Sequence, residues 1–254
     1  SERFYFGSEL KALKASPDFE PKINHHAAHL FFRYHYIPAP HSIYENISKL
    51  PPACYVEVNF DNHDQNNFHT LPKQYWCLEN QVSKAENDPY KGTDQEAILD
   101  LEEHVERSVS AQSISDVPIG TFMSGGVDST LLTSVLQSQS VKKVDSFTVG
   151  FEDNKYNEAV HAELIAHEIG CNHTTIYISG VDALGLLPKL SEVYDEPFAD
   201  SSQIPTLMVS KLARGSVTVA LSGDGGDELF GGYNRHVWIP KISRYTRHMP
   251  TKAL

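Results

Sequence analysis

The stretch Ser124-Gly125-Gly126-Val127-Asp128-Ser129-Thr130 constrains this chain more than any other, because of what flanks it. Before it runs Ile119-Gly120-Thr121-Phe122-Met123, short and apolar enough for a buried parallel strand. After it, Leu131-Leu132-Thr133-Ser134-Val135-Leu136 supplies the apolar face of a helix. The glycine pair therefore sits at a strand-to-helix turn, a feature common in α/β proteins. This turn also has the parts of an anion cup. Two positions lack a Cβ, Ser124, Ser129 and Thr130 add hydroxyls, and the first helical N–H groups, expected at Asp128 to Leu131, point outward with the helix dipole behind them. The loop contains no lysine and does not follow the G-x-x-x-x-G-K-[ST] pattern of γ-phosphate transfer. A cradle for pyrophosphate, with chemistry at the α-phosphate, is the expectation.

A second glycine-rich stretch, Ser222-Gly223-Asp224-Gly225-Gly226-Asp227-Glu228-Leu229-Phe230-Gly231-Gly232-Tyr233, follows another apolar run, Val217-Thr218-Val219-Ala220-Leu221. Acidic and hydroxyl side chains on a loop at a strand's C-terminal end make a hard-oxygen site suited to Mg²⁺. A dinucleotide G-x-G-x-x-G reading from Gly223 fails, because Glu228 holds the third glycine's place.

Ser124-Gly125-Gly126-Val127-Asp128-Ser129 resembles the pyrophosphate loop (S-G-G-x-D-S) of N-type ATP pyrophosphatases. Those enzymes adenylate a carboxylate or carbonyl oxygen and let a nitrogen nucleophile displace AMP. With S-G-D-G-G-D-E-L-F-G-G-Y downstream, the pair resembles the ATP-binding domain of glutamine-dependent asparagine synthetases. The resemblance implies ATP in the Ser124–Ser129 cup, Mg²⁺ bridging to Asp128 and Asp227, and a nucleoside touching Met123, Val149, Ser222 and Gly223. It places Gly125, Gly126 and Ser129 around the phosphates and gives Asp224 the position of a catalytic acid that is usually Glu. It further implies aspartate as acceptor, a β-aspartyl adenylate, and ammonia from glutamine. Phe198 and Asp200 stand where asparagine synthetases of the enteric type carry threonines and a basic residue. Another carboxylate acceptor, a lactam-forming reaction and a non-catalytic nucleotide-binding module therefore remain as alternatives.

Alternating strand and helix patterns from Thr93 onward predict an α/β fold, a doubly wound parallel sheet with right-handed crossovers, of the adenine nucleotide alpha hydrolase type by resemblance. The helices are expected at 93–110, 157–169, 181–194 and 203–214, besides the one after Ser124. The strands are expected at 119–123, 145–150, 173–178 and 217–221. Residues 1–78 read as strands at 3–7 and 54–58 and another ending at Tyr75-Trp76, helices at 8–14 and 23–36 with Asn24 as N-cap, and a polar loop at Asn59–Asn67. Ser8-Glu9-Leu10-Lys11-Ala12-Leu13 and Lys49-Leu50-Pro51-Pro52 resemble the last part of the β-rich class II glutaminase domain of the same family. Residues 79–92, polar and aperiodic, are expected to be the linker, and 93–254 the ATP-pyrophosphatase domain.

The formal net charge of −12 argues against a nucleic-acid partner, which needs a dense cationic face. No run of roughly 18 apolar residues marks a membrane span, and three widely spaced cysteines fit a reducing cytoplasm. Cys54 and Cys77 are expected as packed thiols. His161, His167, Cys171 and His173 fall at spacings that do not share a helix face, against a zinc reading. A homodimer is an expected assembly, with nothing in the sequence that sets the oligomeric state. The chain opens on Ser1 and ends at Thr251-Lys252-Ala253-Leu254, so a piece of a longer protein is expected. The resemblance puts a nucleophilic N-terminal cysteine and a downstream lysine outside it.

Overall fold

The computed structural model describes residues 3–58, 71–152 and 157–247, so the loop expected at Asn59–Asn67 and the last residues lie outside the described ones. The chain divides into two compact units, one of Ser1–Thr93 with Leu184–Ile204, the other of Asp94–Ala183 with Pro205–Leu254.

In the first unit come α1 (Leu10–Lys14), α2 (His25–Tyr34), β1 (Cys54–Tyr55), β2 (Lys73–Gln74) and α3 (Leu78–Asn87). Asn24 caps α2 as expected, its side chain accepting the Ala27 N–H at 3.2 Å. Ala27, Ile37 and Ile43 are buried together, with Leu10, Phe31 and Tyr44 packed against them. The strand expected at 3–7 is absent from the described residues. Arg3 and Tyr5 instead hydrogen-bond to Asp18. The run at 54–58 contributes only two residues, pairing Cys54 with Gln74 and Tyr55 with Lys73 antiparallel.

The stretch read as an aperiodic linker is largely helical. In α3 Leu78, Glu79, Gln81, Lys84, Ala85 and Glu86 are good helix formers, and no residue of the helix is buried. Leu78, Val82 and Ala85 do recur at helical spacing, but all three are exposed and polar residues fill the positions between them.

The second unit contains α4 (Asp94–Gln112), β3 (Ile119–Phe122), α5 (Val127–Gln139), β4 (Asp145–Phe151), α6 (Ala159–Ile169) and β5 (Asn172–Ile178). Helices α7 (Gly180–Val193) and α8 (Gln203–Ala213) each begin in one unit and end in the other. Strand β6 (Val219–Leu221), α9 (Gly226–Phe230) and α10 (Asn234–Thr246) follow. The four strands β3 to β6 form one parallel sheet in the order β5-β4-β3-β6, as the alternating pattern predicts. Chain order runs outward from β3 through β4 to β5, then returns to the other side of β3. The switch point lies between β3 and β6, where parallel sheets of this kind open a crevice beyond the strands' C-terminal ends.

Strand β4 is buried on both faces, and Phe147 packs with Ala213 and Val217. Its buried hydroxyls are satisfied: Ser146 pairs with His173 Nδ1 at 2.8 Å, and Thr148 donates to the Met123 carbonyl. On α6, Ala159, Ala162 and Ala166 are fully buried, and their small size lets this helix lie close to the sheet and to the loop after β3.

Candidate functional site

The two glycine-rich loops leave the C-terminal ends of β3 and β6, neighbours at the switch point. Their contact is tight. A Cβ on Gly223 would stand 2.8 Å from the Ser129 amide nitrogen and 3.0 Å from the Asp128 carbonyl carbon, and a Cβ on Gly226 would overlap the Asp128 carboxylate. Glycine at both positions is what lets the second loop lie across the first turn of α5. The structure thus brings Asp128, Ser129, Gly223 and Gly226 together.

The first loop is organised from within. Ser129, buried at the start of α5, accepts the Ser124 N–H at 3.1 Å, meets the Ser124 hydroxyl at 3.1 Å and donates to the Gly126 carbonyl at 3.2 Å. The Gly126 N–H donates to the Ser124 hydroxyl at 3.2 Å. Behind it, Thr133 donates to the Ser129 carbonyl at 2.7 Å and pairs with the Thr121 hydroxyl at 3.1 Å, both threonines fully buried. Gly125 takes φ 78°, a conformation that favours glycine, and a Cβ there would press on Ala162 and His161 of α6.

Thr130 N–H already closes the first helical turn onto Gly126 at 3.1 Å. The N–H groups left open by this turn are therefore those of Val127, Asp128 and Ser129, where Asp128 to Leu131 were expected. Thr130 Oγ1 is buried with no hydrogen-bond partner among the described residues. This donor-rich, Cβ-free turn at the N-terminus of a thirteen-residue helix fits a pyrophosphate.

The second loop is held by side chains at its far end. Gly225 (φ 94°) and Gly231 (φ 71°) flank α9, and the Gly232 N–H donates to the Asp227 carbonyl at 3.0 Å. Tyr233 donates its hydroxyl to Glu228 at 2.7 Å, which holds that carboxyl below its ordinary pKa and raises the tyrosine's. Arg235 lies 4.1 Å over the Tyr233 ring. Ser222 donates its hydroxyl to Asp224 Oδ2 at 3.0 Å, aiming the carboxylate expected to act in catalysis.

The remaining expected residues are placed unevenly. Asp227, half-buried, turns its carboxylate toward Gly232, where an added Cβ would overlap it. Val149 is half-buried on β4, in register with Ile176. Met123 is only 2 % exposed, its side chain packed on Ala162 and Ala166. Its N–H donates to the Phe147 carbonyl at 2.9 Å, so Met123 seats the end of the sheet from which Ser124 departs. Among the described residues no three His, Cys, Asp or Glu side chains converge on one point. His167 is exposed beside Glu168, while burial raises the Cys171 thiol's pKa and lowers that of His173.

Sequence reasoning missed the support beneath the cup. Thr121, Thr133 and Thr148 carried no motif, and His161 was weighed only as a metal ligand. The spacing of Ala159, Ala162 and Ala166 was a usable signal of a closely packed helix.

Residues 100–254 match the family model described as asparagine synthase, and residues 1–76 that of a glutamine amidotransferase domain. The chain belongs to the asparagine synthase family. It is 34 % identical over 265 residues to a protein of Methanocaldococcus jannaschii provisionally named glutamine-hydrolysing asparagine synthetase 2, covering 98 % of this chain and 48 % of that protein. It is 31 % identical to glutamine-hydrolysing asparagine synthetase 1 of Bacillus subtilis, covering 92 % and 35 %. Against glutamine-hydrolysing asparagine synthetase B of Escherichia coli it is 30 % identical over 150 residues, covering 53 % and 27 %. This family member spans about half or less of the length of those relatives. Among its described residues no helix is long and apolar enough to cross a membrane.

Proposed function

We propose that the native polypeptide converts aspartate to asparagine with ATP, taking ammonia from glutamine. The observation that carries this reading is the seating of Gly223 and Gly226 on Asp128 and Ser129. It brings the two glycine-rich loops together over the first turn of α5, in a chain that also matches a glutamine amidotransferase domain. The aspartate β-carboxylate attacks the α-phosphorus of ATP, the bond to pyrophosphate breaks, and ammonia displaces AMP from the resulting β-aspartyl adenylate.

The N–H groups of Val127, Asp128 and Ser129 bind the departing pyrophosphate in a preformed arrangement, which lowers the barrier because no reorganisation accompanies the charge shift. Asp128 and Asp227 would hold Mg²⁺. When bound, the ion offsets charge gathering on the leaving group. Asp224, hydrogen-bonded by Ser222, would serve as the acidic catalytic residue. The three cysteines are free and half-buried, which supports a cytoplasmic setting.

The test is Asp128→Ala in the full native polypeptide. Mg·ATP-dependent pyrophosphate release is expected to disappear, and unchanged release discards the metal assignment. A panel of carboxylic acids offered to the wild type settles the acceptor, since preference for an acid other than aspartate replaces the aspartate reading. Asp200 makes that panel informative: its Oδ1 accepts the Ser202 N–H at 2.7 Å, so this departure from the enteric pattern serves as a turn cap.

A further inference from the structure

Residues 184–204 lie in the chain between β5 and β6, inside the crossover of the nucleotide-binding sheet, yet they belong to the compact unit formed by the N-terminal residues. Four of their residues, Val193, Asp195, Glu196 and Ala199, hold them there. Lys11 Nζ donates to Asp195 Oδ1 at 3.0 Å and to the Val193 carbonyl at 2.8 Å. Asp195 Oδ2 accepts the Lys11 N–H at 3.3 Å, at the start of α1. Glu196 accepts the Ile43 N–H at 2.7 Å and pairs with Lys49, whose ammonium also donates to the Ile37 carbonyl at 2.7 Å. The Ala199 N–H donates to the His35 carbonyl at 2.8 Å.

These ties are specific. Asp195 and Glu196 keep only 14 % and 13 % of their side-chain surface exposed, so each carboxylate depends on its lysine and amide partners. Ile37 and Ile43, whose backbone groups take part, are core residues of the same unit. The tethered stretch leads directly into α8 and β6, the strand that carries the Gly223–Gly232 loop.

We propose that Glu196 and Lys49, with Asp195 and Lys11, form a tether through which the amidotransferase-matching part of the chain couples glutamine hydrolysis to use of the ATP loops. They are positioning residues, acting through the crossover without touching the reacting atoms. This rests on the functional reading above.

The test compares Lys49→Met, Lys49→Arg and Glu196→Gln with wild type in the full native polypeptide. Glu196→Gln keeps an acceptor for the Ile43 N–H while removing the charge that Lys49 needs. Three quantities are read: glutamine hydrolysed per asparagine formed, asparagine formed from ammonium, and amide hydrogen exchange of the peptide spanning 194–203. Lys49→Met and Glu196→Gln are expected to raise the glutamine-to-product ratio at least threefold, leave ammonium-driven synthesis within twofold, and speed exchange at the Ala199 amide, with Lys49→Arg near wild type. An unchanged ratio, or equal loss of both syntheses, overturns the tether. A wild type that forms no amide from either nitrogen donor overturns the functional reading itself. That outcome is distinguishable, because it appears before any substitution is made.

Discussion

In the loop after β3, polar groups are turned inward: Ser124, Gly126 and Ser129 bond to one another, and a buried Thr133–Thr121 pair stands behind them. In the loop after β6, hydrogen bonds within the turn are fewer. Its position comes from two glycines pressed on Asp128 and Ser129 and from a Tyr233–Glu228 closure at the far end. The first loop holds its shape through its own bonds, the second by leaning on the first. Substitutions in the second loop should therefore act through contact, and those in the first through lost hydrogen bonds.

Gly223→Ala tests this most severely. Its new Cβ meets backbone atoms of Asp128 and Ser129, which do not swing aside as a side chain would. Overpacking of this kind costs about 1–3 kcal/mol, and ATP affinity measured by calorimetry is expected to fall roughly 100-fold. Gly226→Ala meets only the Asp128 carboxylate, which can rotate. The melting temperature should then hardly move, while the Mg²⁺ concentration for half-maximal ATP binding rises about tenfold, equivalent to roughly 1.4 kcal/mol. Equal effects at the two positions would break the distinction between backbone and side-chain contact.

Ser129→Ala probes the first loop. It removes bonds to Ser124 and Gly126, but Ser124 is exposed and its N–H can turn to water. A net loss of about 1 kcal/mol follows, roughly fivefold in ATP affinity. A larger loss, on the scale of Gly223→Ala, would mean that both loops depend equally on Ser129.

How much of this arrangement is legible in the sequence depends on the range of the interaction. The strand-glycine-helix succession is local, so both loops, all four strands of the parallel sheet and the Asn24 cap can be read from neighbouring residues. That Gly223 sits on Ser129 follows from strand order, which local patterns suggest only through the switch-point rule. The attachment of residues 184–204 to the N-terminal unit is not legible, because single charges at Asp195 and Glu196 find partners more than a hundred positions away without leaving a pattern. Helix α3 escapes for a different reason: its apolar positions, Leu78, Val82 and Ala85, are few and set among polar residues.

The smallest expected effect separates the stability of the sheet from the shape of either loop. His173 lies near the start of β5 beside Ser146 near the start of β4, at the end of the parallel strands opposite the loops. Its Nδ1 is engaged by Ser146, and its Nε2 is buried without a partner among the described residues. Burial lowers its pKa, which the nearby Glu163 charge opposes more weakly. The unfolded chain therefore takes up a proton first as the pH falls. The stability that neutral His173 preserves is complete above the ordinary histidine pKa of about 6.5 and declines as the pH drops below it toward the lower folded value. Urea denaturation between pH 7.5 and about 5.5 should show a falling midpoint in the wild type and a flatter dependence in His173→Gln, with ATP affinity at neutral pH unchanged. The same slope in both proteins would assign the acid sensitivity to other groups. A loss of ATP affinity in His173→Gln would show that the loops depend on the far end of the sheet as well as on each other.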